Sequence, residues 1–556
     1  MNKNKHLLLW SSLGVLALLV TAAVQENFLK SWRRIQASAV GEQGPIDVQL
    51  RQIVVPDLKT TDRCVSCHVG MAPGMGELRG DAVLAAHKPM VHDPNDFGCT
   101  ACHGGQGLAT EKDDAHGDIH FWPQPLIPKK YATAGCGTCH SHLRVPDLAG
   151  MREAEGLLER YDCLACHRID GRGGTLRPGG AGGMEGPDLS HVGSSGIDPD
   201  WYATHLAHYQ QTEAGPWRQS FGPVEEPHRQ AIEGFLKSRV GAPELVEAKA
   251  LFHSLGCRGC HKIQGVGGDD GPDLTRFGER DPHQLNFSQV PGEHTLVNWI
   301  VEHFRWPARV VAGSKMPALG LSEDEIDRLT LYMLSLRQSP FPDAYWPKDR
   351  ILVERFGERE FATDGATLYG AFCAACHGPK GEGRRFPDTS PFPAIAGRDF
   401  LAVASDEFIA ETIRRGRPGR RMPAWNENEG GLRDAEIANL VGHLRAIGGV
   451  AEPEAPLSEA RSGEGDAELG GRLFAARCAG CHGPAGEGVD APALNNKVLL
   501  STADDRYLLE TIRRGRRGTS MPGFSQPTSP AYPALAPSDI ESIVAFIRTW
   551  EDLSSE

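Results

Sequence analysis

The chain has 556 residues and a formal net charge of -14 at pH 7. A chain of this length normally divides into several domains, and its acidic balance argues against a nucleic-acid partner because phosphates need a basic face. Only 7% of its residues are aromatic, whereas 65 are Gly and 39 are Pro. This composition predicts short helices joined by long loops, around cores that side chains alone do not fill.

An uncharged apolar run lies near the start of the sequence, from Leu7 to Val24. As a helix it would be roughly 27 Å long, which is about enough to cross the hydrocarbon core of a bilayer. A cleaved signal peptide is the alternative, because the small residues Thr21 and Ala23 suit a cleavage site. The basic stretch that follows it contains a tryptophan and favours a retained anchor. We predict a membrane anchor over 1–25 and a juxtamembrane helix with its lead-in over 26–60.

All 14 cysteines fall in seven Cys-x-x-Cys-His units, numbered here one to seven in chain order. Two thiols at this spacing can form thioethers with the two vinyl groups of one porphyrin, and the adjacent histidine then becomes the proximal ligand of the iron. Zinc would need cysteine pairs brought together in a tetrahedron, and a disulfide framework gives no reason for the repeated histidine. The units therefore predict seven covalently bound haem c groups.

The predicted attachment residues are Cys64, Cys67, Cys99, Cys102, Cys136, Cys139, Cys163, Cys166, Cys257, Cys260, Cys373, Cys376, Cys478 and Cys481. The predicted proximal ligands are His68, His103, His140, His167, His261, His377 and His482. Haem of the c type is attached on the outer side of the cytoplasmic membrane. We therefore expect a single N-terminal anchor, with the bulk of the chain on the periplasmic side.

The spacing of the units divides the chain. Units one to three lie between Cys64 and His140, which predicts a compact trihaem region over 61–150 with little regular structure, where the haems themselves form the core. Each later unit is followed by roughly 80 to 110 residues, the size of a small domain. We call these parts segments four to seven and predict their bounds as 151–240, 244–338, 363–447 and 466–551. Stretches rich in Pro, Gly and acidic residues predict linkers at 241–247, 339–364 and 448–466.

Segments four to seven are internal repeats. Each begins with a short helix that carries the unit, continues through a glycine-rich loop and a Pro-x-aliphatic step, and ends in an amphipathic helix. Ser322 and Ser538 are the predicted N-caps of two of these final helices. The predicted fold class is mainly α: a transmembrane helix, a trihaem bundle and four small all-helical domains.

A Met-Pro pair follows units five, six and seven. Met316, Met422 and Met521 precede the proline in these pairs, between the unit and the last helix of the segment. A methionine in the hydrophobic core is the ordinary alternative and suits Met333, but the repeated position of the other three predicts distal iron ligands. A thioether ligand raises the reduction potential of a haem.

Units one to three have no Met-Pro pair but are followed by many histidines. Five histidines outside the units are candidate distal ligands, of which at most three serve: His87, His92, His116, His120 and His142. Met71, Met75 and Met90 are rivals without the Met-Pro context. Ligation by two histidines would give these haems lower potentials than the methionine-ligated ones.

Unit four has no Met-Pro pair either. Alignment of segments four and five sets His205 against His303 and His208 against Trp306. Because segment five has both a Met-Pro pair and His303, the alignment favours His208 over His205 as the distal ligand of unit four. His191 and Met184 are weaker candidates, and an open coordination position is the remaining alternative.

Units six and seven resemble class I cytochrome c domains. CAACHGPKGEG from Cys373 and CAGCHGPAGEG from Cys478 each precede a Met-Pro pair, and GPDL with KMP in segment five is similar to the same family. The resemblance covers about 153–551 and implies an all-helical fold around one haem per domain. TDRCVSCH behind a juxtamembrane helix resembles subunits that accompany quinol-oxidising cytochrome b complexes.

These features favour an electron carrier over an enzyme. The expected partners are redox proteins: a cytochrome b-type membrane subunit, and a small soluble cytochrome or a terminal oxidase. The alternative is a haem enzyme of the peroxidase or nitrogen-oxide reductase type, working at an open iron in unit four with His205, His208, Glu213 or His228 as acid or base. A gas sensor would also need an output domain. The repeated arginines before Met422 and Met521 would bind haem propionates or an acidic redox partner.

Overall fold

The computed structural model describes residues 2–76, 78–80, 82–87, 90–145, 148–174, 186–195, 197, 199–208, 224–338, 341–387, 390–454, 465–527 and 533–552. The fold is mainly α, as predicted. Strands in this described part are confined to three short antiparallel pairs: β1 (Val40–Gly41) with β2 (Gly44–Pro45), β3 (Ile53–Val55) with β4 (Thr60–Asp62), and β5 (Arg168–Ile169) with β6 (Arg172–Gly173).

The N-terminus forms α1 (Asn2–Phe28) and α2 (Ser31–Ser38). Within the described residues, this is the one helical stretch long and apolar enough to cross a membrane by length and composition. The large apolar side chains of α1 are exposed; Leu7, for example, is 71% exposed. In contrast, α2 packs against unit one, because the buried Gln36 donates a hydrogen bond from Nε2 to the carbonyl oxygen of Ser66 at 2.8 Å.

The α-helices within the described residues 61–145 of the trihaem region are short. They are α3 (Pro94–Phe97), α4 (Thr100–His103) and α5 (Lys112–His116), with a tight 3-10 stretch over Lys129–Thr138. The buried Asp62 accepts hydrogen bonds from the Thr100 amide and hydroxyl at 2.9 and 2.8 Å and so anchors α4 to β4. Two clusters with three buried apolar residues each lie in the part that surrounds unit one. Side chains alone therefore make only a small core here.

Segments four to seven are helical repeats in which the first helix packs against the last. Segment four has α6 (Leu148–Arg160), α7 (Pro199–His208) and α8 (Glu226–Ser238). Segment five has α9 (Pro243–Ser254), α10 (Leu296–Arg305), α11 (Pro307–Val310) and α12 (Glu323–Ser335), and α13 (Lys348–Phe356) follows it.

Segment six has α14 (Gly365–Phe372), α15 (Ala374–His377), α16 (Arg398–Leu401), α17 (Asp406–Arg415) and α18 (Asp434–Gly448). Segment seven has α19 (Ala467–Arg477), α20 (Ala479–His482), α21 (Lys497–Thr502), α22 (Asp505–Arg514) and α23 (Pro537–Asp552). One continuous hydrophobic cluster includes buried residues of both segments, among them Phe372 and Phe474. These two segments are therefore packed together.

Of the two predicted helix caps, one is confirmed and one is wrong. Ser322 caps α12 as expected, and its hydroxyl accepts from the Glu325 amide in a capping box. The prediction for Ser538 is wrong, because α23 begins at Pro537. Proline is well suited to the first helical position, and the Asp539 carboxylate accepts from the Ala536 amide instead.

Two predicted linkers are parts of the packed structure. The stretch 241–247 includes the start of α9, where Leu245 and Val246 are buried. The stretch 339–364 includes α13 and the buried Glu360, whose carboxylate binds Arg258 and Lys249 of segment five. Composition suggested linkers here because prolines and acidic residues collect in both stretches. Glu247 pairs with Arg328, and Glu360 pairs with Arg258 and Lys249, all far away in the sequence.

Candidate haem-binding sites

The proximal histidines of units four to seven share one hydrogen bond. In each unit the Nδ1 atom lies 2.8 or 2.9 Å from a proline carbonyl oxygen of the Pro-x-aliphatic step. The pairs are His167 with Pro187, His261 with Pro272, His377 with Pro393, and His482 with Pro492. A carbonyl can only accept, so Nδ1 carries the proton and the lone pair of Nε2 is left for a metal.

Glycines close against two of these imidazole rings. A Cβ atom added at Gly186 would lie 2.4 Å from Cε1 of His167, and one added at Gly271 would lie 2.4 Å from Cε1 of His261. Any side chain there would displace the ring. Together with the proline carbonyls, these contacts fix the ring orientation that a haem iron requires. The residues of units four to seven therefore fit covalently attached haem c.

The methionine loops of segments six and seven have the same backbone register. The Arg417 amide donates to the Met422 carbonyl, and the Arg516 amide donates to the Met521 carbonyl, both at 2.9 Å. Two residues beyond each proline, the loop returns to its helix, where Trp425 and Phe524 donate to Ile413 and Ile512. The two methionines therefore occupy equivalent positions. Met316 of segment five is partly buried against the core that surrounds α12.

The arginines before these methionines are held mainly by groups of this chain. Arg417 is bonded to the Thr412 hydroxyl at 2.9 Å, and burial lowers its pKa to about 10. Arg516 is bonded to the Thr511 hydroxyl at 2.6 Å and to the Asp399 carbonyl, and Arg517 forms an ion pair with the Asp399 carboxylate. The last two arginines thus join segment seven to segment six. These contacts hold Arg417, Arg516 and Arg517 within the chain.

Three candidate histidines of the trihaem region face proximal histidines. An imidazole nitrogen binds a metal at about 2.0–2.1 Å and lies about 1.1 Å from its ring centroid, so two imidazoles on one iron have centroids about 6.3 Å apart. The observed separations match this value: 6.5 Å for His68 with His116, 6.1 Å for His103 with His87, and 6.2 Å for His140 with His92.

Burial favours the metal-binding form of His92 and His103. Burial lowers the pKa of His92 and His103, and the facing histidine lowers each value further. A neutral imidazole has a lone pair for a metal, whereas an imidazolium has none.

His142 and His120 have other contacts. His142 is buried, with Nδ1 at 2.8 Å from the Ser141 hydroxyl and Nε2 at 3.5 Å from a Glu354 carboxylate oxygen. The exposed His120 packs against the ring of His283 at a centroid distance of 5.5 Å. Neither contact is with a predicted proximal ligand.

Asp349 is a neighbour of unit three that the sequence did not reveal. Its Oδ1 atom lies 3.5 Å from Nδ1 of His140, and this contact lowers the pKa of Asp349 against the opposing effect of its burial. A carboxylate in this position orients an imidazole and makes it a stronger ligand. Asp349 belongs to α13, in a stretch that the sequence assigned to a linker. No local pattern connects it to a histidine more than two hundred residues earlier.

In segment four, the ring that faces His167 belongs to His205, at a centroid distance of 6.3 Å. His191 lies 3.0 Å from the Val240 carbonyl through Nδ1, and His228 lies 2.8 Å from the Tyr161 hydroxyl. The side chain of His208, together with Met184 and Glu213, lies outside the described residues. The prediction for His208 therefore stays a prediction.

Comparisons with known proteins match three parts of the chain to two family models. The family model described as Cytochrome c matches residues 245–337 and 467–551, and the one described as Cytochrome C oxidase, cbb3-type, subunit III matches 360–444. The cbb3-type cytochrome c oxidase subunit FixP of Bradyrhizobium sp. (strain ORS 278) is 34% identical over 195 residues, which are 33% of this chain and 59% of that protein. A cbb3-type cytochrome c oxidase subunit CcoP of Rhodobacter capsulatus is 29% identical over 197 residues, 33% of this chain and 61% of that protein.

The chain thus spans about three fifths of the length of these relatives. A solved chain of the Kuenenia stuttgartiensis reducing HAO-like protein complex matches 34% of this chain and 94% of its own length, at 18% identity and a TM-score of 0.22, which is too low to support an argument. Three matched cytochrome c domains and histidines oriented for iron identify the chain as a multihaem c-type cytochrome with covalently bound haem c.

Proposed function

We propose that the chain is a membrane-anchored heptahaem cytochrome that passes electrons from a quinol-oxidising or other membrane complex to a periplasmic or terminal acceptor. The observation that carries this proposal is that the attachment segments of neighbouring units pack against each other. Cys99 of unit two packs on the buried cluster that contains Val65 of unit one, and a Cβ atom added at Gly259 of unit five would lie 2.8 Å from the Phe372 carbonyl oxygen, next to unit six.

These contacts support a path between cofactors. Bound haem c supplies an iron that changes between the ferric and ferrous states. The cysteines of two neighbouring units attach two different porphyrins, so close packing of the attachment segments brings two porphyrin edges together. Arg421, beside Met422, donates from Nε to Asp270 at 2.7 Å, and Asp270 precedes the glycine packed against His261. Segments five and six are thus held together beside both iron ligands.

Other contacts extend the path through the trihaem region. A Cβ atom on Gly135 of unit three would lie 1.7 Å from the Cys102 carbonyl oxygen of unit two, so these two attachment segments pack backbone to backbone. Tyr131, just before unit three, donates a hydrogen bond to Asp327 of α12 at 2.8 Å. A shared core encloses Tyr131 and α12. These contacts connect units two, three and five.

We also assign distal ligands to six of the seven irons, from the ring distances in the trihaem region and from the repeated Met-Pro positions. His116, His87 and His92 serve units one, two and three, opposite His68, His103 and His140. Met316, Met422 and Met521 serve units five, six and seven. Histidine pairs give lower potentials than histidine with methionine, so electrons pass downhill from the trihaem region to the C-terminal domains.

The proposed membrane location rests on α1, and the proposed redox partners rest on the relatives. An apolar, fully exposed helix of this length is suited to a bilayer, which would hold the trihaem region beside a membrane-bound donor. The relatives are named as subunits of cbb3-type cytochrome c oxidases. A terminal oxidase, directly or through a small soluble cytochrome, is therefore the proposed acceptor, and a cytochrome b-type subunit is the proposed donor. The trihaem region and the C-terminal domains lie on the periplasmic side.

A potentiometric titration of the purified full chain tests this function. We expect seven haem groups per chain by intact mass, with the three methionine-ligated irons reduced at higher potential than the irons of the trihaem region. Rapid mixing with a quinol-oxidising membrane fraction should then reduce the trihaem region first. Methionine-ligated irons with lower potentials than the trihaem region would contradict the proposed direction.

His116→Ala tests the ligand assignment at unit one. Because His116 faces His68, the variant should lose one bis-histidine low-spin signal in the electron paramagnetic resonance spectrum and bind one equivalent of carbon monoxide when reduced. The control is His120→Ala, which changes the same loop at a ring packed on His283 and should leave both readouts unchanged. Carbon monoxide binding by the His120 variant, and not by the His116 variant, would reverse the assignment.

A further inference from the structure

Helix α7 presents a stacked pair of rings. Trp201 and His205 are four residues apart on the same helix face, and their rings stack with centroids 4.5 Å apart and planes 9° from parallel. Segment five repeats this pair in α10, where Trp299 and His303 stack at 4.7 Å and 8°. The indole thus fixes the plane of the imidazole. His205 is a positioned side chain.

The His205 ring also lies near the proximal histidine of unit four, His167. The centroids of His167 and His205 are 6.3 Å apart, and their planes cross at 71°. This separation falls between the 6.1 and 6.5 Å of the three histidine pairs in the trihaem region. It also equals the value of about 6.3 Å expected for two imidazoles on one iron. Nδ1 of His167 is bonded to the Pro187 carbonyl at 2.9 Å, so its Nε2 is the atom available for iron.

We propose that His205 is the distal ligand of the iron in unit four and that Trp201 positions it. The inference rests on the proposed function only in taking unit four to carry a haem. Two histidines then close both axial positions, which removes the open site that a peroxidase or a nitrogen-oxide reductase would need at this unit. Segment four becomes an electron carrier whose ligation continues that of the trihaem region.

The geometry gives this pair the most nearly perpendicular planes of the four histidine pairs. The planes of His68 with His116 and of His140 with His92 are 24° and 28° apart, those of His103 with His87 are 58° apart, and those of His167 with His205 are 71° apart. Nearly parallel imidazoles on ferric haem give a rhombic low-spin signal, and nearly perpendicular ones give a highly anisotropic signal. Unit four should therefore contribute a strongly anisotropic signal to the spectrum of the oxidised protein.

The test uses the full chain, with electron paramagnetic resonance of the oxidised protein and carbon monoxide binding of the reduced protein. In His205→Ala we expect one highly anisotropic signal to be lost, one high-spin signal to appear, and one further equivalent of carbon monoxide to bind. Added imidazole should restore a low-spin signal. An unchanged haem count by mass shows that the variant is assembled, and His205→Met, which keeps a ligand, should stay low-spin with a raised potential.

The matched control is His303→Ala, which changes the same position of the repeated pair in segment five. With Met316 as ligand there, carbon monoxide should not bind to this variant. Loss of the anisotropic signal in His208→Ala, with the signal kept in His205→Ala, would overturn the inference in favour of His208. Carbon monoxide binding at unit four of the unaltered protein would also overturn it. Failure of the proposed function would be seen separately: electrons would not pass from the trihaem region to the C-terminal domains, although the anisotropic signal of unit four would be present.

Discussion

Met422→His is expected to lower the potential of unit six by about 0.2 V, a modest part of the roughly 0.8 V range that axial ligands span. The thioether of methionine stabilises ferrous iron, and imidazole removes that preference. The backbone bond from Arg417 to residue 422 does not depend on the side chain, so the loop should keep its position. At 59 mV for each factor of ten, the change shifts the electron equilibrium at unit six by roughly 2,000-fold.

A potentiometric titration of the variant measures this shift, and rapid mixing measures its effect on the electron relay. Reduction of unit seven from the trihaem region should slow, because unit six becomes an uphill step. The control is Met333→Leu: Met333 is 4% exposed in the core of α12, and an exchange of similar volume costs less than about 1.5 kcal/mol there. An unchanged potential at unit six in the Met422 variant would remove Met422 from the ligand set.

The sequence is most informative where a feature is encoded over a short distance. A Cys-x-x-Cys-His unit contains its own chemistry, because the two sulfurs and the imidazole meet one porphyrin from a single turn of chain. Helical periodicity and the capping box at Ser322 are likewise local. These signals predicted the mainly α fold and the first and last helices of each repeat, but not the helices that lie between them.

The features that the sequence missed depend on contacts between distant parts of the chain. Five histidines of the trihaem region were equal candidates, and the fold brings three of them opposite a proximal ring. The comparison of segments four and five argued against His205 because His303 occupies the same position beside a Met-Pro pair. In the ligand assignment that we propose for unit four, the repeated histidine has different roles in the two copies because segment four lacks the Met-Pro pair. Asp349 and Glu360 were missed because an acidic side chain in a proline-rich stretch has the same local pattern as a linker.

Glu360→Gln should be the most destabilising of the substitutions considered. Glu360 accepts hydrogen bonds from Arg258 Nη1 at 2.7 Å and from Lys249 Nζ, and all three side chains are at most 6% exposed. Lys249 also donates to the Leu143 carbonyl at 2.7 Å. The cluster thus joins the end of the trihaem region, segment five and the start of segment six. The variant leaves two buried cations without their carboxylate, at a cost of about 3–5 kcal/mol in the free energy of unfolding.

Chemical denaturation of the full chain, followed by far-ultraviolet circular dichroism, measures this loss. The matched control is Glu358→Gln, two residues earlier, where the carboxylate is 47% exposed and lies 3.9 Å from Arg144. An exposed pair contributes at most about 1 kcal/mol, so the control should unfold close to the unaltered protein. Equal effects of the two substitutions would show that the buried cluster contributes no more than a surface pair.

The same cluster should make the stability difference between the unaltered protein and Glu360→Gln depend on pH. The Lys249 and Arg258 cations hold the pKa of Glu360 well below its ordinary value of 4.5, although burial alone would raise it. A carboxyl with a lowered pKa in the folded state contributes its full stability above the unfolded pKa and loses it as the pH falls toward the folded value. The advantage of the unaltered protein over Glu360→Gln should therefore be constant from about pH 7 to pH 5 and shrink below about pH 4.5. Denaturation of both proteins across this range measures it, and an advantage that grew with acidity would mean that the carboxylate is not the charged partner of these cations.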